Sequence, residues 1–314
     1  MTLNKPAEFQ SLDDLLNATY CDILENGVSI SSKRGANIEI TQFAATLLNP
    51  RIRTSMSLDR KLVKSKFAEF AWYLSKDKDK NFIKPYISAY DQEEQQNDKI
   101  LGAYGPKIFG SSDDGQSQYE RIIDQIVKRN TTKQAYIAIS DSEDYKFRAE
   151  KFASPPCTIG LHFYVRNAKL NLTAYMRSND AYLGLPHDLF CFTMLQELVS
   201  LRTNTALGVY THCATSMHVY ETHQQKIKDY LDEGLHERIE MPFMVDSSDE
   251  MLDLVSKEFD PKIKQSNLEE LNDYWRDYSL FSLIHNKSNT DKKSWKDLFK
   301  NESMRLIALN SITE

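Results

Sequence analysis

Apolar positions along this chain follow two periods. Between Ser11 and Asn26 they return every three or four residues. Leu12, Leu15, Leu16, Thr19 and Ile23 then share one face, which predicts an amphipathic helix. Ser11 and Asp14 have capping-box spacing, and Gly27 is placed to close the end. A second helix is predicted from Ser57 to Leu74, with Val63, Phe67, Phe70 and Leu74 on one stripe, and a third around Tyr119, Ile122, Ile123, Ile126 and Val127. The period then shortens to two. Ala135–Ser140 is strand-like, and Thr158–Val165 sets Ile159, Leu161, Phe163 and Val165 on one side. Asn167 and Ala168 turn that strand into Leu170–Tyr175, a predicted hairpin. Pro186 starts an apolar helix to about Arg202, Val209–Thr215 is another strand, and helix resumes from about His218. Beyond Met241 the chain turns polar and acidic, then lysine-rich and helical. The pattern predicts an α+β body over 1–240 with a helical C-terminal extension, 241–314, packed on it.

Composition narrows the class. At 314 residues, 41% hydrophobic and 27% charged, the chain is long enough for one large core. A net charge of −6 without a long basic tract argues against an extended nucleic-acid groove, although a small anionic ligand needs only a few cations. No run approaches the roughly 18 apolar residues of a membrane span, and Met1-Thr2-Leu3-Asn4-Lys5 does not read as a secretory start. Cys21, Cys157, Cys191 and Cys213 are scattered without a CxxC pair, so neither a metal site nor a disulfide scaffold is expected, and the cytoplasm is the expected compartment.

Four short segments carry chemistry. Cys157 follows Pro155-Pro156 just before a strand; taken alone, such a cysteine is usually a small buried hydrophobe. Met176-Arg177-Ser178-Asn179-Asp180 ends the next strand and by itself reads as a polar loop. Gly184-Leu185-Pro186-His187-Asp188 opens the apolar helix, where a carboxylate is commonly held by the helix dipole. Ser216-Met217-His218-Val219-Tyr220 reads locally as a helix start with a capping serine. In this order and at these spacings, Ser154 to His223 resembles the heart of the thymidylate synthase superfamily. Upstream the likeness stays collinear: Lys33-Arg34-Gly35 at a phosphate-binding loop, Glu69 at a catalytic glutamate, and Gly102-Ala103-Tyr104-Gly105 at a G-x-Y-G segment. It covers roughly residues 11–223.

The resemblance implies a thymidylate synthase-like fold, a large mixed and mostly antiparallel sheet packed with helices. It implies a Cys157 nucleophile for C6 of a pyrimidine nucleotide and 5,10-methylenetetrahydrofolate as co-substrate, with no metal. Glu69 relays protons, while Arg34, Arg177 and Ser178 bind phosphate. His218 and Tyr220 touch the sugar. Asp180 belongs with the substrate-binding group but is expected to hold the turn together. Tyr90, Tyr104 and Gly184 are expected beside the folate. A homodimer is implied, with Lys133 reaching the partner's phosphate site. The family's arginine pair there reads Lys133-Gln134, which loses bidentate geometry and leaves ribose and deoxyribose both open.

Asp188 points to the branch. Synthases carry asparagine there to read O4 and N3–H of uracil, whereas a carboxylate suits the 4-amino edge of cytosine. Thr158 where synthases usually have histidine, and Tyr90 where a tryptophan usually faces the folate, agree with this. So does a C-terminal Asn310-Ser311-Ile312-Thr313-Glu314 without the short apolar tail of synthases. The expected activity is therefore C5 hydroxymethylation of dCMP or CMP. A dUMP-directed methylase is the nearest rival, and a non-catalytic nucleotide-binding scaffold is the rival of another class.

Overall fold

The computed structural model describes all residues except 1–4, 33, 59–62, 93–97, 101, 143, 145–154, 264–266, 285–295 and 311–314. Lys33 of the phosphate-loop motif and the terminal 311–314 therefore lie outside the described residues. After β1 (Ala7–Phe9), helix α1 (Leu12–Asn26) starts as its pattern requires. The Ser11 hydroxyl accepts from the Asp14 amide, and the Asp14 carboxylate accepts from the Ser11 amide. Gly27 ends the helix in an extended conformation, φ −69°, where any side chain would strike the Ile23 carbonyl. Strands β2 (Val28–Ser32) and β3 (Gly35–Leu47) form a hairpin whose turn needs Gly35 at φ +128°.

Helix α2 spans Val63–Ser75, so Ser57 and Leu58 precede it. Short α3 (Lys80–Ile83) and α4 (Tyr104–Phe109) lead to α5 (Gln118–Lys128). The α5 stripe buries Tyr119, Ile122, Ile123 and Ile126, but Val127 is 65% exposed. Val127 lies one residue past the stripe and faces outward.

Among the described residues the sheet has eight strands. Strands β4 (Tyr136–Ala138), β5 (Thr158–Arg166), β6 (Lys169–Met176), β7 (Asn179–Asp180) and β8 (Ala206–Tyr220) join the first three in the order β1-β3-β8-β6-β5-β4, with β2 on β3 and β7 on β8. Neighbours are antiparallel except β1/β3, β6/β8 and β7/β8, so the sheet is mixed. The β5–β6 turn holds Asn167 and Ala168 at φ 53° and 60°, the left-handed pair of a two-residue hairpin loop. The strand predicted to stop at Thr215 continues to Tyr220; a 3-10 turn at Glu221–His223 then leads into α7 (Gln224–Asp232), after His218 has been used in the sheet. Paired residues on β3 and β7 hold that end extended.

Between β7 and β8, helix α6 (Gly184–Arg202) is buried almost all round. Helices α8 (Asp249–Phe259), α9 (Asp273–Ile284) and α10 (Glu302–Asn310) follow. Phe281 stacks on Phe67 of α2 with ring centroids 3.9 Å apart, and the Tyr278 hydroxyl donates to the Phe67 carbonyl at 2.7 Å. Core side chains of α8 and α9 are thus continuous with those under the sheet.

The sheet is irregular next to Cys157. Leu161, Phe163 and Val165 are buried as their alternation requires, but Ile159 is 43% exposed. The β5–β6 register shifts between Thr158 and Gly160, a β-bulge that turns Ile159 out and buries Thr158 instead.

Candidate active site

The bulge sets the centre of the site. Beyond it Thr158 pairs with Met176, which puts Cys157 opposite Arg177. The Arg177 amide donates to the Cys157 carbonyl at 2.9 Å. Its guanidinium donates to the carbonyls of Pro156 (3.1 Å) and Pro155 (2.8 Å) and reaches Cys157 Sγ at 3.6 Å. A cation against sulfur favours thiolate over thiol. The two prolines have no amide hydrogen, so only their carbonyls face the arginine.

Cys157 opens onto a cavity of about 450 Å³, a size that accepts a nucleotide-scale ligand. Arg34, Glu69, Tyr90, Tyr104, Gly184, Asp180 and Asp188 line it as well. Glu69 sits in the middle of α2 and is buried. Its Oε1 accepts from the hydroxyls of Tyr90 (3.2 Å) and Tyr73 (3.5 Å). Burial, then the charge of Asp188, push its carboxyl up to about 8 in spite of those two bonds. Asp188, in the first turns of α6, is raised to about 7 by burial and by Asp180 against a lowering bond from Asn179. Two acids titrating near neutrality in one cavity can hold or release protons at working pH.

Asp180 folds back on its own loop. Its Oδ1 accepts from the amides of Tyr182 (2.8 Å) and Leu183 (3.0 Å), which fixes the turn before α6. Gly184 is needed for close approach, since a Cβ there would stand 2.9 Å from Asn179 Nδ2 and 3.6 Å from Asp188 Oδ2. The Tyr104 hydroxyl accepts from the amide (3.3 Å) and hydroxyl (3.0 Å) of Thr158, tying α4 to the residue beside the thiol. Ser178 Oγ lies 3.4 Å from His218 Nδ1, and His218 meets Tyr220 edge-on at 5.2 Å. Burial holds the His218 imidazole below its ordinary range, so it is neutral at physiological pH. The positive charge of Arg34 acts on both His218 and Tyr220, so these residues form one polar shoulder of the site.

Lys133 is the residue that the fold does not bring here. It lies with Lys128 and Arg129 around a separate surface hollow at the α5–β4 turn, and its carbonyl contacts the His162 ring nitrogen at 3.1 Å. Several wall residues were not singled out by the sequence. Trp72 and Tyr73 stand three and four positions after Glu69, hence on its helical face. His187 bridges α2 and α6, with Nε2 2.8 Å from Ser65 Oγ and Nδ1 2.8 Å from the Leu183 carbonyl. Asn179, within the Met176–Asp180 motif, touches Asp188 at 2.7 Å. Among the described residues no group of three or more His, Cys, Asp or Glu could hold a metal ion.

A thiol facing a guanidinium, two neutral-range acids and an aromatic wall thus share one region of an α+β scaffold. The family described as Thymidylate synthase matches residues 17–269, and the chain belongs to that family. It is 29% identical over 135 residues to the thymidylate synthase of Mycoplasma mobile, covering 42% of this chain and 46% of that protein. It is 25% identical over 138 residues to that of Leuconostoc mesenteroides, covering 44% and 42%. The chain thus matches less than half the length of these curated relatives. The solved thermostable thymidylate synthase A from Bacillus subtilis superposes with a TM-score of 0.62 over 73% of this chain and 86% of that one, at 22% identity, a likeness of fold.

Proposed function

We propose that this chain is a C5 hydroxymethyltransferase for a cytosine nucleotide, dCMP or CMP, working through a covalent Cys157–C6 adduct. The observation that carries the reading is the carboxyl group of Asp188 in the same cavity as the Cys157 thiol. An ionised carboxylate accepts hydrogen bonds only, which suits a 4-amino edge and leaves the carbonyl of a 4-oxo edge unpaired. Each unpaired buried group costs about 1–3 kcal/mol, enough for a tenfold or greater preference.

Arg177 favours the thiolate of Cys157 and joins Arg34 and Ser178 on phosphate, with His218 and Tyr220 toward the sugar. The sulfur adds to C6, and the displaced electron pair makes C5 a nucleophile. The family's co-substrate, 5,10-methylenetetrahydrofolate, supplies a one-carbon unit at the formaldehyde level. Tyr90, Tyr104 and Gly184, with Trp72 and Tyr86, would hold it; their aromatic rings beside a polar floor fit a flat heterocycle. Glu69, poised near 8, relays away the C5 proton as tetrahydrofolate departs from the transferred carbon, and orients the water that adds to the resulting exocyclic methylene of the nucleotide to complete the hydroxymethyl group. Release of the thiolate from C6 restores the ring.

A homodimer belongs to the same reading. Tyr175, Ile159 and Tyr136 are exposed across one face of the β4–β5–β6 sheet, a surface suited to a second copy. The Lys128–Arg129–Lys133 hollow would then serve the partner's phosphate.

A second reading, methylation of dUMP, is favoured by the raised Asp188 carboxyl. In its neutral form it offers one donor and one acceptor, the pair that O4 and N3–H of uracil require. Incubation with methylenetetrahydrofolate and dCMP, CMP, dUMP or UMP, with products read by mass, separates the two. A hydroxymethyl gain on a cytosine nucleotide is expected. A methyl gain on dUMP alone would discard the first reading.

A further inference from the structure

The choice between those readings rests on the charge of Asp188, and the fold surrounds that carboxyl with groups that oppose ionisation. Glu69 and Tyr73 from α2, Tyr104 from α4, Asp180 from β7, Cys191 from α6 and Tyr210 from β8 all interact with it electrostatically. Each is neutral or negative, and none brings a positive charge. Against them stands a single donor among the described residues: Asn179 Nδ2 gives its hydrogen to Asp188 Oδ2 at 2.7 Å.

Asn179 bears a cost in doing so. The residue is 3% exposed, and its Oδ1 is buried with no hydrogen-bond partner among the described residues. An orphaned buried acceptor is unfavourable. The opposite amide orientation would give Oδ1 a partner only if Asp188 carried a proton to donate. With an ionised Asp188 that orientation would set two acceptors against each other. The orientation seen is therefore the one matched to a carboxylate. Its position is fixed on both sides, by β7 pairing with Met217 of β8 and by Gly184, whose missing Cβ leaves room for Nδ2.

We propose that Asn179 is the positioning residue that holds Asp188 as an oriented carboxylate, and thereby sets the preference between 4-amino and 4-oxo pyrimidines. The proposal builds on the placement of Asp188 against the base edge. Asn179 acts through Asp188, so its removal shifts the pH at which the preference appears instead of weakening both nucleotides alike.

The test is binding of dCMP and dUMP to the full chain from pH 5.5 to 9 by calorimetry, for the wild type, Asn179→Asp and Asn179→Leu. Two variants are used because each lacks the donor while one keeps the shape and the other stays uncharged. In the wild type the dCMP-to-dUMP affinity ratio rises with pH through the Asp188 midpoint. Loss of a bond to a charged group moves that midpoint up by about one pH unit or more, which lowers the ratio roughly tenfold at neutral pH. In an Asp188→Asn background the same Asn179 changes should leave the ratio flat with pH. If both variants fold and the midpoint stays where it was, the assignment of Asn179 is overturned. If the wild type prefers dUMP at every pH, the cytosine reading fails, and Asn179 is still judged by the midpoint.

Discussion

Helix α2 presents two faces that meet opposite demands. One, carrying Phe67 and Phe70, packs into rings of α6 and α9: Phe190 at 4.8 Å, Tyr278 at 4.7 Å and Phe281 at 3.9 Å from Phe67. The other carries Glu69, Trp72 and Tyr73 into the cavity, where the carboxyl is held well above its ordinary range. A charge-disfavouring site costs stability, and a helix anchored by aromatic packing can bear that cost. The C-terminal junction is further secured by Asp277, whose carboxylate accepts from the amides of Lys300 and Asn301 at 2.7–3.1 Å and ties α9 to the start of α10.

If the division of labour holds, changes on the two faces should separate chemistry from stability. The largest effect is expected from Cys157→Ser, which should lower product formation at least ~10³-fold with an unchanged melting temperature. Tritium release from C5 of labelled nucleotide measures the first and calorimetry the second. Next comes Phe281→Ala, expected to cost about 3–5 kcal/mol in urea unfolding through the cavity it leaves. The folded fraction should keep its rate within about threefold, since sites that share no partner act nearly additively. A rate that collapsed with stability would show that the two faces are one unit.

A smaller effect is expected at the cavity floor. Asp188→Asn should move preference from cytosine toward uracil nucleotides by roughly 1–3 kcal/mol, about tenfold to a hundredfold. Competition between dCMP and dUMP reads this directly, and unchanged selectivity would remove Asp188 from base reading. The smallest is a pH effect of Glu69. Its carboxyl is raised to about 8 in the fold, so the native state holds the proton more tightly than the unfolded chain. That contribution is complete below the unfolded value and is lost as pH rises through about 8. Glu69→Gln should therefore melt a few degrees above the wild type at pH 9 and close to it at pH 5.

Much of the fold was legible in the sequence because it is local. The capping box of α1, the two-residue β5–β6 turn and the α5 stripe arise from neighbours a few positions apart. Cys157, Arg177, Glu69 and Asp188 were found through the resemblance; Cys157, Glu69 and Asp188 line one cavity, and Arg177 stands against the Cys157 sulfur. What escaped was set by distant partners. The extended end of β8 owes its form to β3 and β7, so its Ser216–Tyr220 segment imitates a helix start when read alone. Ile159 points outward because of a register shift that no spacing records. Asn179 carries no assigned role within Met176-Arg177-Ser178-Asn179-Asp180 when the sequence is read alone, although its amide is bonded to Asp188 nine residues on.

The irregularity at Ile159 works as a one-notch offset between two rails. With the regular pairing of the rest of β5 and β6 carried through, Arg177 would face Thr158, and the sulfur would be left without its cation. Straightening the bulge without changing the number of residues should thus silence the chemistry, whereas deleting Ile159 would remove the bulge and still leave Cys157 opposite Arg177.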